Sequence, residues 1–306
     1  PDAPRVTAQQ VLEKALEELN EVRKSKRTEK EKAEARVSTT EPEARLMKHG
    51  NDGGIALSYN VQITTEAKQK VIVAAEVNQC SSDADVDLRE VVEAVQANLH
   101  RRPAQLVTDG GFTGHDNIIN MDLAKVDLIG PLPDTEARQA AARKASGIAE
   151  EFAGERFQET TDGRGLLCPA GQLLPLVRHN GKRGNKYAVY QAPGSACRQC
   201  AFHLKCCPKG FEKGRSVSVL IEEAKQVAAF KEKMATEAAK QVYQRRSEVA
   251  ETPNAWIKEK FGIRKFRLRG LQKVRLETIW ACLTYNVMVW VRLVWRKSIE
   301  MLPQAA

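Results

Sequence analysis

The chain has 306 residues, of which 42% are hydrophobic and 28% are charged, and its formal net charge is +9. This composition excludes a disordered or fibrous protein, and the length allows one domain of catalytic size with an insertion or appendage. The positive charge favours a polyanionic partner, although many proteins that bind no nucleic acid carry a similar charge.

The first segment, residues 1–41, is highly charged and helix-forming. Apolar residues recur at helical spacing and Thr7 is a suitable N-cap, so a long helix or a helical pair is predicted over residues 7–37. The charged runs are typical of solvated helix faces. The sequence begins with Pro1 and shows no signal peptide, and we therefore expect a piece of a longer protein.

Strand-like and helix-like patterns alternate over residues 42–150. The predicted order is strand, strand, helix, strand, helix, strand, at residues 53–65, 71–77, 85–99, the run that ends at Asp109, 117–123 and 126–129. The short connection between the first two strands predicts a hairpin. An Ala-rich, charged stretch over residues 131–154 then predicts a helix that leaves the sheet.

Asp109 follows a short apolar run that starts after Pro103 and ends before Gly110 and Gly111. Such a run predicts a buried strand, and the carboxyl ends of strands are where α/β sheets bind ligands. The two glycines allow a sharp turn beside the carboxylate. An Asp-Gly pair after a strand is equally typical of a simple turn, so this segment alone leaves both interpretations open.

The segment of residues 151–220 is rich in Gly, Pro and Cys, and its strand-like pieces are short. A segment of this kind needs an internal cross-link to hold its shape. Cys197 and Cys200 form a Cys-x-x-Cys pair, Cys206 follows, and Cys168 stands upstream in a Cys-Pro-Ala-Gly turn. Four thiolates at this spacing are suited to tetrahedral Zn²⁺.

Other assignments of the cysteines remain open. Cys207 could replace Cys206, His203 could supply a nitrogen ligand, or the thiols could be buried without a metal. Cys80 and Cys282 stand in strand-end and apolar-helix contexts, which favours a place in the core over metal binding.

The last segment, residues 221–306, is predicted to be helical from residue 221 to 248. Pro253 fits the first turn of a further helix, in which Glu251 and Lys258 lie two turns apart on one face. The residues that follow form a basic segment, residues 258–275, in which cations alternate with apolar residues that can anchor it. The cations are Arg264, Lys265, Arg267 and Arg269, and the apolar residues are Ile263, Phe266 and Leu268.

Cations held in this way can face a phosphate backbone, although they can also serve only as solubilising charges. The end of the chain, residues 276–296, is apolar and approaches the length of a membrane span. Polar and charged residues interrupt it, which favours a buried closing helix.

Taken together, several stretches resemble bacterial insertion-sequence transposases of the DDE type, in the branch with a cysteine-rich insertion before the last acidic residue. The resemblance runs from about residue 41 to the end of the chain. The stretches are Arg45-Leu-Met, Tyr59-Asn-Val-Gln62, Thr108-Asp109-Gly-Gly-Phe, Cys168-Pro-Ala-Gly171, the cysteine cluster, and residues 243–286 with Leu268-Arg-Gly-Leu-Gln-Lys-Val274 and Cys282-Leu-Thr-Tyr-Asn286.

The resemblance implies an α/β fold with a ribonuclease-H-like mixed sheet flanked by helices, and with the cysteine-rich segment as a small zinc insertion. It makes Asp109 the second and Glu251 the third acidic residue of the triad, with Glu248 as the alternative in another register. Tyr243, Arg246 and Lys258 match a signature around Glu251 and are expected to bind DNA, as are the four cations of the basic segment.

In this family the first acidic residue lies on a strand upstream of the charged helical segment, so we expect this chain to lack it and to be inactive alone. The implied domains are residues 1–41, 42–150, 151–220 and 221–306. The implied cofactors are Mg²⁺ or Mn²⁺ at the carboxylates and structural Zn²⁺ at the thiols.

The implied partners are transposon-end and target DNA and further copies of the chain, with no membrane, in the bacterial cytoplasm at the nucleoid. Two other functions remain open: a non-catalytic DNA-binding remnant of a transposase, and a ribonuclease-H-like nuclease that does not transpose.

Overall fold

The computed structural model describes residues 7–26, 28–48, 54–132, 135–182, 184–208 and 213–295. The mixed α/β class predicted from the sequence is confirmed. The helices are α1 (Ala8–Ser25), α2 (Glu29–Ala33), α3 (Leu88–Leu99), α4 (His115–Leu123), α5 (Thr135–Ser146), α6 (Gly194–Arg198), α7 (His203–Cys206), α8 (Lys225–Ala235), α9 (Glu237–Gln244), α10 (Arg246–Ala255) and α11 (Leu271–Trp290).

The strands form one larger sheet and three separate pairs. They are β1 (Arg45–Lys48), β2 (Ile55–Ser58), β3 (Asn60–Thr65), β4 (Ile72–Asn78), β5 (Gln105–Val107), β6 (Asp127–Ile129), β7 (Gln158–Glu159), β8 (Gly165–Leu167), β9 (Leu173–Lys182), β10 (Asn185–Gln191) and β11 (Ser216–Glu222).

The chain divides into two compact units. The first contains Pro1–Phe112, Asn120–Gly130 and Glu237–Ala306, and the second contains Thr113–Ile119 and Pro131–Thr236.

The strand pairs all belong to the first unit. The pairs β1–β2 and β3–β4 are antiparallel, and the pair β5–β6 is parallel. The predicted hairpin and the predicted strand before Asp109 are therefore confirmed. The prediction of a single strand over residues 53–65 is wrong. Tyr59 interrupts the strand, and the two parts, β2 and β3, pair with different strands. Residue 53 lies outside the described residues.

The N-terminal helix begins where the sequence predicts. Thr7 and Gln10 form a reciprocal capping box, in which each side chain accepts a hydrogen bond from the other residue's backbone N–H. Thr28 and Glu31 repeat this arrangement at α2, so the helical-pair alternative is the correct one. Residue 27 lies outside the described residues.

Two predictions for the region after residue 220 are wrong, the first only in part. The helical prediction for residues 221–248 is wrong at its start, because β11 extends to Glu222, and it is confirmed from Lys225 onward, where α8, α9 and α10 follow one another. Pro253 does not begin a helix but lies inside α10, which a π-helical turn over Trp256–Lys260 continues. Proline can donate no backbone hydrogen bond, so α10 lacks the bond that residue 253 would otherwise donate to the carbonyl of residue 249.

The core of the first unit forms where α11 packs against β4. Its buried residues are Ile72, Ile257, Ala281, Cys282, Tyr285 and Val289. Asn286 fixes this contact, because its side-chain amide donates to Ile72 O at 2.8 Å and its carbonyl oxygen accepts from Ile72 N at 2.9 Å.

The closing helix is less buried than the sequence predicts. Only the face toward β4 is covered, and Trp280 on the opposite face is 65% exposed. By length and composition, Leu271–Trp295 is the one helix among the described residues that could cross a membrane. Its buried face nevertheless contributes to a protein core. Residue 296 lies outside the described residues.

The second unit is built on an antiparallel sheet of five strands in the order β11-β10-β9-β8-β7. The prediction of only short strand-like pieces is wrong for this segment, because β9 has 10 residues and β10 and β11 have 7 each. Apolar residues from several strands form a core of their own. It contains Phe152, Phe157, Leu166, Leu174, Ala188, Tyr190, Ala192, Cys197, Cys206, Cys207 and Val217.

Candidate active site

Asp109 lies two residues beyond the end of β5, in the turn that the glycines allow. Its carboxylate is 56% exposed and accepts two hydrogen bonds: Oδ1 from Gly110 N at 2.9 Å and Oδ2 from Arg246 Nη2 at 3.2 Å. The backbone carbonyl oxygen of Asp109 accepts a hydrogen bond from Phe112 N at 3.0 Å, which closes the turn. The carboxylate is thus held in place and remains accessible to solvent.

Arg246, the partner of Asp109, is the first residue of α10. Its guanidinium lies 5.8 Å from the centre of the Tyr243 ring, a cation–π distance, so the half-buried Tyr243 helps to orient it. The sequence assigned both residues to DNA, whereas here Arg246 pairs with a carboxylate. The ion pair joins the start of α10 to the end of β5.

Glu251 lies on α10, which contacts β3, and its side chain is exposed. Glu248, the alternative in another register, is paired with Lys70 at 2.7 Å. The Lys70 ammonium lowers the pKa of the Glu248 carboxyl below its usual range, through a hydrogen bond and a favourable charge interaction. Asp109 is paired with a cation as well, so it is the resemblance, and not this ion pair, that favours Glu251 over Glu248 as a metal ligand.

Sequence reasoning missed Asp83, which lies beside the Asp109 turn. Asp83 Oδ1 accepts from Asn60 Nδ2 at 3.1 Å and from Gln62 Nε2 at 3.3 Å. A Cβ added at Gly111 would lie 2.9 Å from the Cβ of Asp83, so only glycine fits there without a shift. The alternation of Asn60 and Gln62 on one face of β3 was the available signal.

The basic segment follows the π-helical turn, and its four cations, Arg264, Lys265, Arg267 and Arg269, are exposed. Lys258 in the turn is also exposed. Two of the three predicted anchors are confirmed. Ile263 packs against the core of the first unit, and Phe266 makes an edge-on contact with Tyr59 at 6.4 Å between ring centres. Leu268 is 45% exposed and is therefore not an anchor.

Carboxylates that the sequence did not single out hold the basic segment in place. Glu277 accepts from the backbone N–H groups of Arg267 at 3.0 Å and Leu268 at 3.0 Å. Glu41 accepts from Gly270 N at 2.6 Å and Glu43 from Leu271 N at 2.8 Å. The last two cap the start of α11, where the helix dipole favours negative charge.

The clustered cysteines lie together in the second unit. Cys168, Cys197, Cys200, Cys206, Cys207 and His203 line one cavity, and we call this set the thiol cluster. Burial raises the pKa of Cys206 to about 12 and also raises that of Cys207, so both are neutral thiols without a metal.

Two sulfurs of the thiol cluster accept backbone hydrogen bonds. Cys168 Sγ accepts from Gln172 N at 3.2 Å, and Cys197 Sγ accepts from Arg215 N at 3.3 Å. As placed, however, no group of three or more His, Cys, Asp or Glu side chains among the described residues could hold a metal ion. The structure gathers the predicted zinc ligands without giving them coordination geometry.

An exposed carboxylate at a strand end, joined by an ion pair to a helix that carries another exposed carboxylate, is suited to metal-dependent chemistry on a polyanion. The comparison with protein families identifies the class more closely. Residues 167–291 match a family described as a transposase DDE domain, which confirms the resemblance over that range. No curated protein and no solved structure matches the chain.

A transposase DDE domain implies catalytic function in transposition, use of a divalent metal and binding to DNA. The matched range contains Glu251, the thiol cluster and the basic segment, while Asp109 lies outside it.

Proposed function

We propose that the chain is the catalytic part of a DNA transposase, which cuts and joins DNA strands by phosphodiester transfer with Asp109 and Glu251 as metal-holding carboxylates. The contact between Arg246 and Asp109 carries this proposal, because it brings the helix of Glu251 to the end of β5. Glu251 lies about 7.5 Å farther along α10 than Arg246. The two residues are also about 140° apart around the helix axis, so the expectation that the Glu251 carboxyl group lies roughly 4 to 8 Å from that of Asp109 comes from the resemblance and a shared metal site, not from this contact.

The two carboxylates suit Mg²⁺ or Mn²⁺, because such hard cations prefer oxygen ligands and Mg²⁺ needs only one or two protein carboxylates beside its waters. When bound, such ions activate the attacking water or 3′-hydroxyl and stabilise the leaving oxygen. The residues of this chain do the positioning. The Gly110 N–H fixes one oxygen of Asp109, and Arg246 supplies a positive charge beside the other.

We further propose that β3–β4 and β5–β6 belong to one ribonuclease-H-like sheet, in which a strand carrying the first acidic residue would lie between β3 and β5. Among the described strands, β3 pairs only with β4 and β5 only with β6, so each has an edge for such a strand. Asp83 supports their proximity, because it binds Asn60 of β3 and packs beside Gly111.

The thiol cluster is proposed to bind one structural Zn²⁺ through Cys168, Cys197, Cys200 and Cys206. The donor set supports this assignment, because four thiolates suit tetrahedral Zn²⁺. The backbone N–H groups that point at Cys168 and Cys197 would stabilise thiolates once their protons are lost. Cys207 remains the substitute for Cys206, since both are buried in the same cavity.

The proposed partner is DNA, at transposon ends and target sites, and the exposed cations of the basic segment support contact with its phosphates. Tyr243, Arg246 and Lys258 are proposed to meet the DNA near the metal-holding carboxylates. Assembly of several copies on DNA and a place at the bacterial nucleoid in the cytoplasm are proposed from the resemblance.

Iron-directed cleavage tests the metal site without requiring activity. Fe²⁺ is bound in place of Mg²⁺, ascorbate and peroxide generate hydroxyl radicals at the ion, and mass spectrometry locates the backbone cuts. We expect cuts near Asp109 and Glu251, lost in Asp109→Asn and Glu251→Gln. Glu248→Gln is the matched control and should retain the cuts, because the resemblance makes Glu251 the third acidic residue.

If Glu251→Gln retains the cuts and Glu248→Gln loses them, the third acidic ligand is Glu248, one turn earlier on α10. A second assay measures nicking of supercoiled DNA by the same proteins in Mn²⁺, and it distinguishes an active enzyme from a non-catalytic DNA-binding remnant. Metal-dependent nicking lost in Asp109→Asn supports an enzyme, whereas DNA binding with no metal cuts and no nicking would support the non-catalytic remnant.

A further inference from the structure

The acidic residues are unevenly distributed along the chain. Although the protein has 39 Asp and Glu, none occurs over residues 163–211. The same stretch contains eight Lys or Arg residues, which are Arg164, Arg178, Lys182, Arg183, Lys186, Arg198, Lys205 and Lys209. A stretch with one sign of charge attracts counter-ions of the other sign, and at this length it marks a candidate polyanion contact.

Part of the stretch forms strands β8, β9 and β10 of the second unit. Within it, β9 and β10 form a hairpin, and β11 pairs with β10 on the other side. We call these three strands the β-ribbon. At about 3.3 Å per residue, β9 alone extends for roughly 33 Å.

Two cations of β9 are available on the β-ribbon. Arg178 and Lys182 are exposed, and no ion pair involves either of them within the described part of the chain. Arg178 pairs with Val189 and Lys182 pairs with Asn185 in a regular register. The two cations therefore lie on one face of β9, about 13 Å apart. Lys186 differs, because Glu222 on the neighbouring strand binds its ammonium at 2.6 Å.

We propose that the β-ribbon is a second DNA-binding surface, in which Arg178 and Lys182 contact phosphates of duplex DNA. The β-ribbon has three strands, whereas the major groove of B-DNA admits a two-stranded ribbon, so we expect it to lie against the phosphate backbone and not within the groove. This inference rests on the proposed function for its ligand class. It adds a contact separate from the basic segment and from the carboxylates.

Exposed apolar residues on the β-ribbon, such as Val177 at 52% and Ile221 at 56%, are the reason to consider a protein partner instead. The positive charge of residues 163–211 favours DNA over a protein as the partner. Six large apolar residues of β9 and β11 are exposed, but a 49-residue stretch without one acidic residue is not expected at this content of Asp and Glu, and it favours a polyanion over a protein partner.

The test measures binding of the full chain to a labelled random-sequence DNA duplex by fluorescence anisotropy over a range of salt concentrations. The variant Arg178→Ala/Lys182→Ala removes the two β-ribbon cations. The matched control, Lys144→Ala/Lys225→Ala, removes two exposed lysines from helices α5 and α8 of the same unit. Circular dichroism melting curves establish that both variants fold.

Each lost phosphate contact lowers the slope of log affinity against log salt by about 0.9, so the β-ribbon variant should lose about 2 from the slope. The control should keep the slope of the unmodified chain. A photo-crosslinking amino acid at Asn180, between the two cations on the same face, should capture the duplex. Both results support the inference.

Equal slopes for the two variants, or no captured duplex, would overturn the inference while the unmodified chain still binds DNA and the proposed function stands. If the unmodified chain shows no salt-dependent binding to DNA, the inference and the proposed function both fail.

Discussion

Arg246 donates a hydrogen bond to the Asp109 carboxylate across 3.2 Å, although the two residues are 137 positions apart in the sequence. The contact joins the first turn of α10 to the end of β5. Both residues are candidates for contact with the substrate or its metal, and here each holds the other. A cation bound at Asp109 would therefore compete with the guanidinium for the same oxygen.

The first prediction is that Arg246→Gln increases the affinity of the chain for Mn²⁺. An exposed ion pair contributes only about 0 to 1 kcal/mol, so the gain should be at most about fivefold. Electron paramagnetic resonance of free Mn²⁺ measures it. Arg245→Gln is the control, because it removes the same charge from the adjacent residue; an equal gain there would mean that the Asp109 contact is irrelevant.

The second prediction concerns Gly111, which packs against Asp83. In Gly111→Ala the new methyl group would lie 2.9 Å from the Cβ of Asp83, and because Cβ is attached to the backbone, the turn after Asp109 must shift. We expect a loss of about 1 to 3 kcal/mol in the free energy of unfolding, measured with urea. Weaker Mn²⁺ binding should accompany it if the turn positions Asp109.

Gly114→Ala provides the comparison for this prediction. No described atom lies within 4 Å of a Cβ at Gly114, and its φ is not in the left-handed region. Gly114 stands at the N-cap position of α4, where its carbonyl oxygen accepts from Ile118 N and Ala is less favourable than Gly, so we expect a loss of at most about 1 kcal/mol. A loss of stability as large as that of Gly111→Ala would contradict the steric explanation.

Local signals predicted β5, the turn at Asp109 and the start of α1 correctly. The apolar run after Pro103 and the glycines after Asp109 predicted β5 and its turn, and Thr7 predicted the start of α1, because each signal acts within a few residues. Asp83 was missed for the opposite reason. Its partners Asn60 and Gln62 lie 23 and 21 residues away, and their alternation along β3 marks a polar face without showing which residue binds there.

Apolar periodicity also predicts a buried face without showing how much of a helix the rest of the chain covers. For α11 the sequence therefore overestimated burial, since Trp280 is 65% exposed. The same limit explains Leu268, which alternates with cations as Phe266 does but has no neighbour comparable to Tyr59. Strand pairing in the second unit was underestimated because β9, β10 and β11 stabilise one another across the sheet.

The third prediction is that replacing Arg264, Lys265, Arg267 and Arg269 by Ala weakens binding to unrelated DNA sequences about equally. If all four contact phosphates, the salt slope should fall by about 3.6. Arg264 pairs with Glu259, so its share can be smaller. Fluorescence anisotropy measures the slope, and an unchanged slope would show that these charges only keep the protein soluble.

The fourth prediction is a loss of stability at alkaline pH caused by Cys282. Burial in the α11 core raises its pKa from 9.0 to about 11, so the folded state holds the thiol proton more tightly than the unfolded state. Below pH 9 both states are protonated and the effect is absent. As the pH rises from about 9 to 11, the unfolded thiol ionises first and stability falls, by at most about 1.4 kcal/mol per pH unit.

Cys282→Ala removes this titration and should flatten the decline, apart from a constant cost of the smaller side chain. Urea unfolding at several pH values between 8 and 11 gives the comparison. Parallel curves for the two proteins would show that other groups cause the alkaline loss.

The fifth prediction is that the chain, purified without added zinc, contains about one Zn²⁺ held by Cys168, Cys197, Cys200 and Cys206. Metal analysis of single Cys→Ser variants identifies the ligands, and Cys80→Ser, outside the thiol cluster, is the control. Comparison of the single variants Cys206→Ser and Cys207→Ser shows which of the two cysteines binds the zinc. Four sulfurs around one zinc at about 2.3 Å must lie roughly 3.5 to 4 Å apart in a structure of the metal-bound protein.

Removing the metal should affect the second unit alone. Because zinc binding contributes free energy to folding, a chelator should speed hydrogen exchange around Cys168 and over residues 197–207 while leaving exchange in β3 and β4 unchanged. The apolar core of the second unit should keep the exchange of β10 slow, since Ala188 and Tyr190 are buried in it without help from a metal. If the sulfurs lie far apart and the chain contains much less than one zinc, the thiol cluster binds no zinc. Its cysteines are then buried thiols, and the apolar core stabilises this unit without a metal.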